Sequence, residues 1–181
     1  PGTPRAGHVT LDRTSDDERA RLYWSRELMR CEDSFDYLAA HYLRIKSKYK
    51  IGFPTLAWNN VQTLLRAKMR DQWKRTGWIR QVWGKSRSVG STTLLRADTF
   101  HQTAFKNNRN AFLCAHDEGS AYELFEIDKT FLSALPEPLK PSVKSNSKTK
   151  LEFGARRSQV LIGHAKNINV GASQMNHIVE L

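Results

Sequence analysis

Residues 78–100 read Trp78-Ile79-Arg80-Gln81-Val82-Trp83-Gly84-Lys85-Ser86-Arg87-Ser88-Val89-Gly90-Ser91-Thr92-Thr93-Leu94-Leu95-Arg96-Ala97-Asp98-Thr99-Phe100. The first six alternate and are rich in β-formers, which predicts a strand. Gly84–Gly90 is a polar turn. From Ser91 to about Phe105 the apolar residues do not alternate, and the run is long for a strand, so a helix is expected. A strand, a Gly/Ser turn and a helix in that order can wrap a phosphate. Consecutive backbone N–H groups line such a turn, and the helix adds the positive end of its dipole. The usual spacing is G-x-x-x-x-G-K-[ST]. With Gly90 as the second glycine, Lys85 falls where the first belongs and Ser91 where the lysine belongs. The strict motif fails, but Thr92 keeps the hydroxyl position, and Lys85 or Arg87 can supply the cation from inside the turn. An ordinary strand-to-helix turn is the competing reading.

Outward from this stretch, the chain divides at about residue 50. Residues 1–10 read as an arm. Helices are expected over 14–31, with the acidic start Ser15-Asp16-Asp17-Glu18, and from Asp33 through Leu43. IKSKYKIG reads as a hairpin or loop. A helix over 55–75 is ended by Gly77. Beyond residue 105 come a buried strand at 111–115, a helix over 117–135 stopped by Pro136, and a surface loop over 136–149. Strands at 150–153 and 159–163 form a hairpin across GARRS, and a buried strand is expected at 177–181. Strands alternating with helices predict an α/β domain of three layers with a mainly parallel sheet. The expected division is an N-terminal arm and helical segment over 1–50 and the α/β domain over 51–181.

Composition narrows the class of function. No apolar run approaches the roughly 18 residues of a spanning helix, so no membrane partner is expected. Two cysteines, Cys31 and Cys114, stand far apart and exclude a disulfide scaffold or a zinc module. The start at Pro1 and the stop inside MNHIVEL suggest a piece of a longer chain. Net charge is +11, and it is focused: residues 66–109 hold eleven bases and two acids. Such a stretch attracts polyanions, because each neutralised phosphate releases counterions. A solvated basic face, or a patch for an acidic protein, is the plainer reading.

The strings DSFDYLAAHYLRIKSKYKIGFPTLAWNNVQTLLRAKM and TGWIRQVWGKSRSVGSTTLLRADTFHQT resemble the N-terminal ATPase region of tailed-phage terminase large subunits, with AFLCAHDEGSAYELFEIDKTFLSALPEPLKP and LIGHAKNINVGASQMNHIVEL following in the same order. The family's loop carries its basic residue early, as Lys85, Arg87, Gly90, Thr92 and Thr93 do here. The resemblance implies a P-loop NTPase-like fold with flanking helices, and the ATP-binding part of a viral DNA-packaging motor that couples ATP hydrolysis to duplex translocation. It implies ATP and Mg2+ as cofactors. Arg87 and Lys85 would be the catalytic cations, and Ser86, Ser88, Val89, Gly90, Ser91, Thr92 and Thr93 would surround the phosphates. Thr92 would ligate magnesium, and Gln62 would read adenine. The family's Asn-x-Ala-Gln stands here only as Asn60-Val61-Gln62, and a solvated helix glutamine is the alternative for Gln62. The implied partners are double-stranded DNA, a portal or procapsid, a small terminase subunit and further copies in a ring, in the cytoplasm of an infected bacterium. The family's Walker B acids and nuclease domain would lie beyond Leu181, so the activity of this stretch alone is left open. Glu180 is not read as the Walker B acid.

Weaker constellations complete the reading. Arg156 and Arg157 at the hairpin tip, with Lys106 and Arg109, are candidate DNA contacts. Asp117, Glu118, Glu123, Glu126 and Asp128 read as a solvated acidic helix face rather than a metal site, and His116 as a hydrogen-bonded structural histidine. The histidines show no metal-type pairing. Trp78 and Trp83, on the expected strand, are read as core or interface packing rather than as rings that stack on bases. A helicase-type translocase and a non-enzymatic basic nucleic-acid-binding protein remain the alternatives.

Overall fold

Asn110–Ala115 (β1) lies between two parallel neighbours, Ser158–His164 (β4) and Ile178–Glu180 (β5). Lys150–Phe153 (β3) adds to β4 antiparallel, and Val143–Asn146 (β2) adds to β3 antiparallel, giving the order β2-β3-β4-β1-β5. The computed structural model describes residues 15–46, 52–84, 88–164 and 176–180. It is α/β with a mixed sheet whose centre is parallel, coarser than the mainly parallel sheet expected.

Helices α1 (Asp16–Asp33), α2 (Phe35–His41), α3 (Asn60–Thr76), α4 (Ser91–Phe105) and α5 (Glu118–Ala134) complete the described elements, with a 3-10 turn at Glu137–Leu139. Their ends follow from the sequence. Ser15 accepts from Glu18 N–H ahead of three acids, Ser34 accepts from Tyr37 N–H, and Asp117 accepts from Ser120 N–H. Gly77 closes α3 in the left-handed region, at φ +74°.

The core forms where α4 and α5 meet the sheet. Phe100 of α4 packs against Phe131 of α5 and Phe153 of β3, with ring centroids 5.6 and 6.2 Å apart. Ala111, Leu113, Leu151, Val160 and Ile162 are buried in the same cluster. On the opposite sheet face Phe112 and Leu161 are half-buried, and Val179 of β5 is exposed.

The N-terminal helices attach through two polar clusters. Glu27 of α1 is buried and accepts hydrogen bonds from the Tyr37 and Tyr42 hydroxyls and from Arg30. The Tyr42 hydroxyl above all holds its carboxyl below the usual range. Asp36 of α2 receives the Arg66 guanidinium of α3, which lies over the Phe35 and Trp58 rings at 4.9 and 5.1 Å.

Several expectations are corrected. Residues 78–83 form no strand: Val82 is 99% exposed, and Trp78 and Ile79 are also exposed. Alternation makes a strand only where a neighbouring strand and an apolar layer receive it, and this segment has neither among the described residues. Trp78 therefore does not pack within a sheet. The expected loop at 136–149 contains the 3-10 turn and β2. The last strand, β5, is short and half-exposed rather than buried. α3 starts at Asn60, not residue 55, because the Asn59 side chain caps it. Asp128 is no part of a solvated face; it is fully buried against Arg96. The arm, Lys85, Ser86, Arg87 and most of the IKSKYKIG stretch lie outside the described residues. The flanks of that stretch do pair, Arg44 with Thr55, as a hairpin requires.

Candidate phosphate-binding turn

The amino end of α3 holds the turn that enters α4. Asn59 and Gln62 form a capping box: the Asn59 side chain accepts from Gln62 N–H at 2.9 Å, and Gln62 Oε1 accepts from Asn59 N–H at 3.0 Å. Both side chains then reach the turn. Asn59 Nδ2 donates to the Val89 carbonyl at 3.2 Å, and Gln62 Nε2 to the Gly90 carbonyl at 2.8 Å. Ser88 and Gly90 both take left-handed backbone, φ +64° and +79°. Glycine suits the second position twice over, since a Cβ there would lie 2.7 Å from Gln62 Nε2.

α4 therefore begins with its N–H groups uncapped. Gly90 precedes it, no side chain among the described residues caps it, and its first turn contains no acid. The first N–H groups of a helix have no intrahelical acceptor and carry the positive end of the dipole. Ser91, the first helical residue, is 1% exposed, and its hydroxyl has no hydrogen-bond partner among the described residues. Thr92 and Thr93 are half-buried beside it.

Of the expected phosphate residues, Ser88, Val89, Gly90, Ser91, Thr92 and Thr93 are contiguous at this end, with Gln62 braced against them. Gln62 is 4% exposed, and its amide is engaged at both ends with backbone, which makes it an anchor of the turn. Asn59 shares that role; the spacing Asn59-x-x-Gln62 ahead of a helix signals the cap of α3 but not the reach of these side chains to Val89 and Gly90.

Lys106, Arg109, Arg156 and Arg157 also come together, around the β3–β4 turn. The Ser158 hydroxyl lies 3.0 Å from the Lys106 carbonyl and accepts from Arg109 N–H at 3.0 Å. Arg156 pairs with Glu32 of α1, while Arg157 is exposed at the tip. His116 is exposed beside Asp117.

Beneath α4 lies a buried ionic cluster. Arg96 binds Asp128 of α5 through two nitrogens and lies 3.3 Å from Glu180 of β5, which also accepts from the Thr99 hydroxyl. Asp98 is one residue from this chain of contacts, and burial, reinforced by the Glu180 charge, pushes its pKa up to about 6. Glu180 is thus held by α4. Among the described residues, no group of three or more His, Cys, Asp or Glu side chains is arranged to hold a metal ion, and no helix is long and apolar enough to cross a membrane.

No protein-family model matches the chain, and no curated protein matches its sequence.

Proposed function

We propose that the amino end of α4 binds the phosphates of ATP, and that the chain is the ATP-binding part of a DNA-packaging motor of the terminase large-subunit kind. The observation that carries the nucleotide reading is the buried Ser91 hydroxyl, without a hydrogen-bond partner among the described residues, at a helix end that no described side chain caps and whose first turn has no acid, behind a left-handed glycine. The packaging role rests on the resemblance in sequence. The reading depends on this helix end and not on a strand leading into it.

In this reading the N–H groups from Ser88 to Ser91 donate to phosphate oxygens, and the dipole of α4 favours their charge. Lys85 and Arg87 offset further negative charge. Thr92 would hold the magnesium ion, which supplies neutralisation of the β- and γ-phosphate oxygens. Asn59 and Gln62 keep the turn open by binding its carbonyls from behind. Fixed donors of this sort stabilise the transferring phosphoryl group without reorganising.

The experiment is a thermal-shift titration with Mg-ATP. A ligand at about 100 times its Kd stabilises by about 2.7 kcal/mol, about 5–10 °C for a chain of this size. Arg87→Ala should abolish the shift. An unshifted Tm in the unsubstituted chain overturns the nucleotide reading, and retained nucleic-acid binding would then favour the non-enzymatic alternative.

A further inference from the structure

The Gly90 carbonyl accepts from Leu94 N–H at 3.0 Å, so it points into α4, while the N–H groups of the first turn point out of the helix end. Gln62 Nε2 donates to that same carbonyl at 2.8 Å and therefore meets Gly90 from the helix side, away from those donors. The partners fix which way the Gln62 amide faces, since only Oε1 can accept from Asn59 N–H and only Nε2 can donate to a carbonyl. A Cβ on Gly90 would lie 2.7 Å from Gln62 Nε2 and 3.3 Å from Asn59 Nδ2, so both amides press on one side of this residue. Gln62 is 4% exposed, which leaves its amide no open edge. Asn59 is engaged in the same way, its oxygen on Gln62 N–H and its nitrogen on the Val89 carbonyl. Among the described residues, what the helix end carries besides these amides is of one kind: backbone N–H donors and the hydroxyls of Ser91, Thr92 and Thr93. Such donors suit oxyanions and form no pattern that matches a base edge.

We infer that the amino end of α4 recognises a polyphosphate and not a base. Its ligand class is the magnesium-bound triphosphate, with ATP, GTP, CTP and UTP held alike, and Gln62 is a positioning residue of the turn. This selectivity rests on the nucleotide reading and sharpens it. Telling one base from another takes a polar side chain held against the base edge, and losing one such bond lowers affinity by about tenfold. The two amides nearest the turn are bound to its own backbone instead. Affinity then comes from backbone donors and charge, which inorganic tripolyphosphate satisfies as ATP does.

The test is competition against a fluorescent ATP, read by anisotropy on the whole chain with Mg2+. The competitors are ATP, GTP, CTP, UTP, inorganic tripolyphosphate and adenosine. The four nucleotides should compete within about threefold of one another, less than one base hydrogen bond contributes. Tripolyphosphate should displace the probe, and adenosine should not. Gln62→Ala should weaken every triphosphate, tripolyphosphate included, by one common factor, because the turn loosens for all of them. Loss of a base reader would weaken ATP alone. ATP tighter than the other three nucleotides by about tenfold or more, displacement by adenosine, or a Gln62→Ala loss confined to ATP overturns the inference while the nucleotide reading stands. An inert tripolyphosphate overturns it too. No binding of the fluorescent ATP overturns the nucleotide reading itself, and this selectivity with it. The ranking of competitors is measured on the unsubstituted chain, so it decides the matter even if Gln62→Ala does not fold.

Discussion

Gln62 and Gly90 meet across the turn: the Gln62 amide donates to the Gly90 carbonyl at 2.8 Å, and the same nitrogen occupies the space into which a side chain at residue 90 would project. One contact thus fixes both the identity of residue 90 and the shape of the candidate phosphate site. Gly90→Ala should cost about 1–2 kcal/mol from its left-handed backbone alone, and more because Gln62 must give way. Urea unfolding measures the loss. Asn59→Ala, which removes the cap and the bond to Val89, should cost about 1 kcal/mol.

A second expectation concerns the cluster beneath α4. Arg96 and Asp128 are both fully buried, and each is the other's closest counter-charge. Asp128→Ala leaves a guanidinium in the core with only Glu180 beside it, and Arg96→Ala leaves two carboxylates there. Breaking a buried pair in this way costs about 3–5 kcal/mol. Replacing Arg96 and Asp128 together by Ala should cost clearly less than the sum of the single changes, because the pair is then absent and Glu180, which still accepts from the Thr99 hydroxyl, is the one charge of the cluster left in place. Chemical denaturation of the three variants gives the cycle; additive losses would refute the coupling.

The helices were legible in the sequence because their signals are local. Ser15, Ser34 and Asp117 each start a helix, and Gly77 ends one, through contacts within one turn of chain and where expected. The β1 and β3–β4 strands were legible from short apolar runs bounded by turn residues. The segment at 78–83 was misread because its alternation is identical to that of a strand. The difference lies in what stands beside it, and here that is the side chain of Gln72. Asp128 was misread for a similar reason: its neighbours along the chain are polar, while its partner Arg96 is 32 residues away. At the candidate site the turn and its hydroxyls were visible from Gly90, Ser91 and Thr92. The bracing by Asn59 and Gln62 was not, since it joins two helix ends distant in sequence.

Asp98 provides a pH signature. Its carboxyl is pushed up to about 6 by burial and by Glu180, with the Arg66 charge and a Gln102 hydrogen bond opposing. In the unfolded chain the group titrates near its ordinary value of 3.8. Since the folded value is the higher one, its stabilising contribution is complete below about 4 and is lost as pH rises through about 6. Asp98→Asn cannot ionise, so at pH 7.5 the variant should melt higher than the unsubstituted chain, and the gap should close towards pH 4. Melting curves across that range test it; a gap independent of pH would remove Asp98 as the cause.

His101 should produce the opposite slope. It is 3% exposed, donates from Nε2 to the Cys31 carbonyl at 2.9 Å, and stacks on Phe35 and Phe105. Its Nδ1 is buried without a hydrogen-bond partner among the described residues. Burial chiefly, with some help from the Lys106 charge, brings its pKa down from 6.5 to about 4. The folded chain therefore resists a proton that the unfolded chain accepts, and stability that is complete above pH 6.5 declines as pH falls towards 4. His101→Gln has no such group to charge. At pH 7.5 the variant should be less stable by about 1–3 kcal/mol, since the Cys31 carbonyl loses a well-placed donor, and the deficit should shrink steadily as the pH is lowered to 4. Denaturant midpoints at matched pH values separate this from simple misfolding, which would leave the deficit constant.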